Sequence, residues 1–176
     1  MLIKSVMTKR ICKSFLLFSF LISAVFAQTN TLSRKIEEII STKKADVGVS
    51  IYGLEDKDSF GINVHEHFPM ESVFKFHLAL AVLNEVDKGR LSLSQKIFIK
   101  KDELLPGTWS PLGKEYPNGN IVISLDKIIR YTVAQSDNNG CDILLKLLGG
   151  PKAVNNYIND IGIKDAAIEA NEEEMH

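Results

Sequence analysis

The sequence predicts an α/β (α+β) fold: a small antiparallel sheet with a helix near the N-terminus, followed by an all-helical portion. Three observations carry this. Val47, Val49 and Ile51 alternate with Gly48, Ser50 and Tyr52, and Phe60, Ile62 and Val64 alternate after the polar turn Glu55-Asp56-Lys57-Asp58, the pattern of a β-hairpin. Apolar residues then recur at helical spacing from Phe76 to Leu83, from Leu125 to Val133 and from Val154 to Ile161. Glycine or proline marks the ends of those segments at Gly89, Gly149-Gly150, Pro151 and Gly162.

The first 27 of the 176 residues stand apart. Lys4, Lys9, Arg10 and Lys13 precede the apolar residues 15–22, and Val25-Phe26-Ala27 offers a cleavage site before Gln28, so a signal peptide and export to the periplasm are expected. The apolar run is shorter than the roughly 20 residues of a spanning helix, which argues against a stable membrane anchor. The remaining 149 residues carry 17 basic and 22 acidic side chains, a balance that gives no reason to expect nucleic acid. A hydrophobic content of 45% and a charged content of 24% fit an ordinary globular domain, expected here as a monomer. Cys12 leaves with the leader, and the lone Cys141 that remains reads as a small buried hydrophobe. The expected divisions are the signal peptide at 1–27, an N-terminal helix and hairpin at 28–67, and a helical subdomain at 68–176.

Leu32, Ile36, Ile39 and Ile40 share one face of a first short helix, and the hairpin follows. Pro69 suits the turn before a second helix, whose residues 76–83 are apolar nearly all round, as in a buried helix. That helix stops at Lys88-Gly89, where glycine can take the left-handed conformation. Residues 91–101 are mixed. Residues 104–119 hold Pro106, Gly107, Pro111, Pro117 and Gly119 and read as a long irregular stretch, which in a compact domain is usually functional; it contains the only tryptophan, Trp109. Ser124 caps a helix whose inner face is Leu125, Ile128, Ile129, Thr132 and Val133. Another helix runs from Cys141 to Leu148, and Pro151 opens the last, with Val154, Tyr157, Ile158 and Ile161 inward. The end, residues 170–176, is a polar loop. The expected order is helix, hairpin, then helices only.

Chemistry concentrates in two places. Ser72-x-x-Lys75 sits at the start of the buried helix, where residues three apart share a face. A serine is a poor nucleophile unless a neighbouring base takes its proton, and an amine in a low-dielectric setting can do so. Ser136-Asp137-Asn138 follows the end of another helix, where side chains can project into a cleft; Ser136 could pass a proton to a departing amine and Asn138 could bond an amide carbonyl. Asp137 is better suited to holding the turn through backbone bonds. The competing reading is a solvent turn, for which these residue types are common. His65-Glu66-His67 has the form of a metal-binding His-x-His, but the only other histidines are His77 and His176, so no metal and no cofactor is expected.

Taken together, Ser72-x-x-Lys75, Ser136-Asp137-Asn138 and the acidic loop at Glu172 resemble a class A serine β-lactamase. The likeness is to the PER- and VEB-type extended-spectrum branch in particular. It is carried by Phe68-Pro69-Met70-x-Ser72-Val73-Phe74-Lys75, Thr108-Trp109-Ser110-Pro111, Gln135-Ser136-Asp137-Asn138, Cys141-Asp142-Ile143-Leu144, and Ala170-Asn171-Glu172 with Met175-His176. The resemblance implies a β-lactam as the small-molecule substrate. It implies Ser72 as nucleophile, Lys75 as base or relay, Ser136 as proton shuttle to the lactam nitrogen and Glu172 as activator of the deacylating water. It also implies Asn138 as the group that binds the substrate's acylamide side chain and Trp109 as an aromatic wall at the cleft mouth.

The same resemblance sets expectations for what surrounds these residues. The class carries a Lys-Thr-Gly strand that supplies half of an oxyanion hole, and no such triplet occurs in this sequence. One oxyanion donor is worth about 2.7–4 kcal/mol of transition-state stabilisation, so the chain is expected to be an N-terminal portion with little or no turnover. The class also has a five-stranded sheet, of which only a hairpin is legible here, and an isolated hairpin is marginal in water. Two alternatives stay open: a penicillin-binding D,D-peptidase, which would lack a deacylating glutamate, and a non-catalytic β-lactam-binding remnant.

Overall fold

The computed structural model describes residues 31–174. The expected signal peptide at residues 1–27, together with Met175 and His176, lies outside the described residues. Among the described residues no helix is long and apolar enough to cross a membrane. Two compact units divide after Phe68.

The first unit holds helix α1 (residues 31–41) and an antiparallel hairpin of β1 (Val49–Tyr52) and β2 (Ser59–Ile62). Register pairs Val49 with Ile62 and Ile51 with Phe60, so the alternation read from the sequence places these apolar residues across from one another. The Phe68 ring packs on Gly48 so closely that a Cβ there would lie 2.6 Å from a ring carbon. No residue from 31 to 68 is buried.

The second unit contains the core. A single 3-10 turn, Glu71–Val73, leads into α2 (Phe74–Asp87), which ends as expected at Lys88 with Gly89 left-handed at φ 70°. The helix is buried on one face only: Phe74, Lys75, Leu78, Ala79, Ala81 and Val82 point inward, while Phe76 is more than half exposed. The all-round apolar composition therefore overstated its burial.

The expectation of helices alone after the hairpin is overturned. Strands β3 (Lys96–Ile99) and β4 (Ile121–Ser124) form a second antiparallel pair, with Ile97 opposite Ile123 and Ile99 opposite Ile121. Between them the irregular stretch contains a short helix, α3 (Pro111–Glu115), capped by the Ser110 hydroxyl, which accepts the Gly113 N–H. The stretch closes at Gly119, left-handed at φ 54°, where a Cβ would sit 2.3 Å from the Lys101 Cα, so only glycine fits.

Ser124 ends β4 and caps α4 (Leu125–Ala134), while Leu125 and Asp126 donate backbone N–H bonds to Gln95 and Leu93. Leu125, Ile128, Tyr131 and Thr132 are buried, but Val133 is exposed, because the buried face is turned toward Tyr131, on the opposite flank of the helix from Val133. Helix α5 (Asn138–Leu148) is capped by Asp137 and ends at left-handed Gly149. Helix α6 (Pro151–Asp160) buries Val154 and Ile158; Ile161 lies past its end and is half exposed. Leu78, Val82, Ile128, Leu144, Leu145, Val154 and Ile158 form one core joining α2, α4, α5 and α6.

Candidate active site

Three pieces of backbone converge near the start of α2. Ser72 lies in the 3-10 turn and Lys75 one turn later, so their side chains share a face and the Lys75 Nζ stands 3.3 Å from the Ser72 Oγ. Ser136 comes from the turn between α4 and α5, in the left-handed region at φ 54°. A non-glycine residue holds that conformation only where its surroundings fix it. Here the Asp137 N–H bonds the Tyr131 carbonyl and the Asn138 N–H bonds the Trp109 carbonyl, pinning both following residues. Glu172 comes from the loop after α6.

Lys75 is the hub. It is 2% exposed, and its ammonium lies 2.8 Å from Glu172 Oε1, 2.5 Å from Asn138 Oδ1 and 3.1 Å from the Ser136 carbonyl. A buried ammonium needs such partners, since unpaired burial of a charge costs several kcal/mol. Ser136 Oγ donates to Ser72 Oγ at 2.8 Å. Asn138 Nδ2 donates to the Thr108 hydroxyl at 2.7 Å, which sets the carboxamide with its oxygen toward Lys75. Ser72, Asn138 and Glu172 line a cavity of about 560 Å³ together with Met70, Phe74 and residues 167–170.

The structure thus brings together Ser72, Lys75, Ser136, Asn138 and Glu172. Trp109 is not among that cavity's lining residues. It is more than half exposed, its indole N–H donates to the Gln135 carbonyl at 2.9 Å, and the Lys114 ammonium stands 4.2 Å from its ring centroid. Asp137 holds the turn, as its chemistry suggested: its carboxylate accepts from the Gly140 and Leu112 N–H groups and from the Ser110 hydroxyl. Cys141 is fully buried; burial, with the nearby Glu172 carboxylate adding to it, pushes its thiol up and leaves it inert. His65 and His67 are exposed loop residues.

Sequence reasoning missed the residues that hold the glutamate loop. The Asp142 carboxylate on α5 accepts the backbone N–H groups of Glu172 at 2.8 Å and Glu173 at 3.1 Å. Burial pushes the Asp142 carboxyl up, opposed by these two donors. Asn155 on α6 bonds both backbone groups of Ile168. Both act at long sequence separation on backbone atoms, which no motif signals.

Residues 31–176 match the β-lactamase enzyme family. The chain belongs to that family. It is 49% identical over 96% of its length to β-lactamase VEB-1 of Pseudomonas aeruginosa, and 41% identical over 99% to extended-spectrum β-lactamase PER-1 of the same organism. The chain spans 56% of the length of each of these relatives. Among solved structures, that of TLA-1 extended-spectrum β-lactamase superposes with a TM-score of 0.81 at 50% identity, covering 84% of this chain and 54% of that one. Class A β-lactamase is therefore the family and the fold of this chain, and the expected PER- and VEB-type kinship holds.

Proposed function

We propose that the protein hydrolyses β-lactam antibiotics, penicillins and extended-spectrum cephalosporins, through a serine acyl-enzyme, after export to the periplasm with cleavage before Gln28. The observation that carries this reading is the convergence of Ser72, Ser136, Asn138 and Glu172 on the buried Lys75 ammonium.

Lys75 has three N–H bonds to give, and its three shortest contacts, to Asn138, Glu172 and the Ser136 carbonyl, use all of them. In this arrangement it is a donor, and it can take the Ser72 proton only after handing one of its own to Glu172. The Ser72 oxygen then bonds the lactam carbonyl carbon. The ring C–N bond breaks, and Ser136, already bonded to Ser72, delivers the proton that the nitrogen needs. Lys75 then returns a proton to Ser136 and recovers its own from Glu172. The Glu172 carboxylate so restored takes a proton from the water that attacks the ester, and that proton passes through Lys75 to the departing Ser72 oxygen. Asn138 holds the acylamide carbonyl through Nδ2, its oxygen being committed to Lys75.

The Glu172–Lys75 pair favours this over a D,D-peptidase, which would have no such glutamate and would stay acylated. The test is hydrolysis of a chromogenic cephalosporin by the full-length gene product. Turnover lost in Ser72→Ala, and stalled as a stable acyl-enzyme in Glu172→Gln, is the expected result. Stoichiometric labelling by fluorescent penicillin without hydrolysis in the unaltered protein would instead support the peptidase or the binding remnant.

A further inference from the structure

The geometry points to Asn155 as a positioning residue for Glu172, acting through the backbone of the loop that carries it; this rests on the hydrolase reading above. Residues 163–174 contain no helix or strand, so side chains from the neighbouring helices must hold their path. The Asn155 carboxamide does so as a strand partner would. Its oxygen accepts the Ile168 N–H at 2.7 Å and its nitrogen donates to the Ile168 carbonyl at 2.7 Å. Two bonds to the backbone of one residue, one in each peptide group that flanks its Cα, fix orientation as well as position. The Ile168 side chain is 4% exposed, so without Asn155 its backbone groups would lose their partner beside a buried anchor.

The anchor divides the loop. Upstream, the Ile163 N–H bonds the Ile158 carbonyl at the end of α6, and downstream Asp142 holds Glu172 and Glu173. Lys164 reaches the Asn159 carbonyl through its ammonium and Asn171 bonds Glu174 within the loop, so the backbone between Ile163 and Asn171 is tied to the neighbouring helices through Asn155. Residues 167–170 are also wall of the cavity that Ser72 and Glu172 line. Loss of the anchor therefore moves wall and carboxylate together, while Ser72, Lys75 and Ser136, held on the 3-10 turn, α2 and the α4–α5 turn, stay. An ion pair between Glu172 and Lys75 survives a small shift, but a water aimed at an ester does not. The effect falls on deacylation.

The experiment compares Asn155→Ala and Asn155→Asp with the unaltered full-length gene product, with Asn156→Ala, an exposed neighbour, as control. Aspartate keeps the acceptor for the Ile168 N–H and loses the donor. Stopped-flow acylation and deacylation by a chromogenic cephalosporin are read separately, beside hydrogen exchange of the peptide spanning 166–173. The expected result is deacylation slowed about tenfold to a hundredfold in Asn155→Ala, acylation changed far less, a smaller effect in Asn155→Asp, faster exchange in the loop, and none of these in Asn156→Ala. Equal loss of both steps, or unaltered exchange across 166–173, overturns the positioning role. Absence of any covalent adduct in the unaltered protein sinks the hydrolase reading itself, and the role with it.

Discussion

Asp137 sits between the two residues of its motif that face the cleft, and is itself fully buried. Its carboxylate bonds the Leu112 N–H at 2.6 Å, the Gly140 N–H at 2.8 Å and the Ser110 hydroxyl at 2.9 Å, so one side chain joins α3 and α5 to the turn bearing Ser136. Asp137→Asn replaces one acceptor oxygen with a donor that faces another donor. Each bond to a charged group is worth roughly 1.5–3 kcal/mol, and a buried unpaired group adds its own penalty. The expected outcome is a loss of about 3 kcal/mol in denaturant unfolding, with activity falling more than stability because Ser136 loses its support. The sequence made Asp137 legible as a turn holder, since aspartate bonds local backbone. Its partners Ser110 and Leu112 were not legible, because nothing in a linear chain marks residues 25 and 27 positions away.

Between elements, the contact of α4 with α5 depends on a missing side chain. A Cβ on Gly140 would lie 2.7 Å from the Thr132 hydroxyl oxygen, which bonds the Ile128 carbonyl within its own helix. Gly140→Ala is expected to cost about 1–3 kcal/mol through overpacking, and Thr132→Ala in the same chain should recover part of it, a coupling that a double-mutant cycle measures. A second inter-element contact predicts acid behaviour. Hydrogen bonds from Tyr131, then from Tyr116 and Lys127, hold the Glu115 carboxyl down to about 2 from an ordinary 4.5. A carboxyl so lowered contributes stability that is present above pH 4.5 and lost as pH falls toward about 2. Glu115→Gln should flatten the pH dependence of the melting temperature across that window. Glu115 is half exposed, so the difference should shrink in high salt. Of the elements themselves, the helices with caps and glycine stops were legible. Strands β3 and β4 were not: each is four residues long, and the proline- and glycine-rich stretch between them conceals that they pair.

At the scale of the whole molecule the two units differ in kind. From 31 to 68 no residue is buried, whereas the unit that begins at Pro69 has a continuous core with Leu78, Val82, Ile128, Leu144 and Ile158 fully enclosed. Hydrogen exchange is accordingly expected to be slowest at core amides of α2, α4 and α5 and much faster across β1 and β2. Equal protection in both would contradict the reading that stability resides in the helical unit. The site is built wholly on that unit, which is why its motifs could be read from local sequence: Ser72 and Lys75 are one turn apart, and Ser136 and Asn138 share one turn. The glutamate loop was legible only through likeness, because its path is set by Asp142 and Asn155 from other helices.

Trp109 gives the molecule an optical property. It is the sole tryptophan, and it is fastened to both sides of Ser136: through its indole to the Gln135 carbonyl, and through its own carbonyl to the Asn138 N–H. Emission excited in the indole band therefore comes from one place, beside the turn that holds Ser136, with the Lys114 charge 4.2 Å from the ring centroid to shift it. A change in that signal on adding a β-lactam would report the state of the turn that holds Ser136, with no contribution from the rest of the chain.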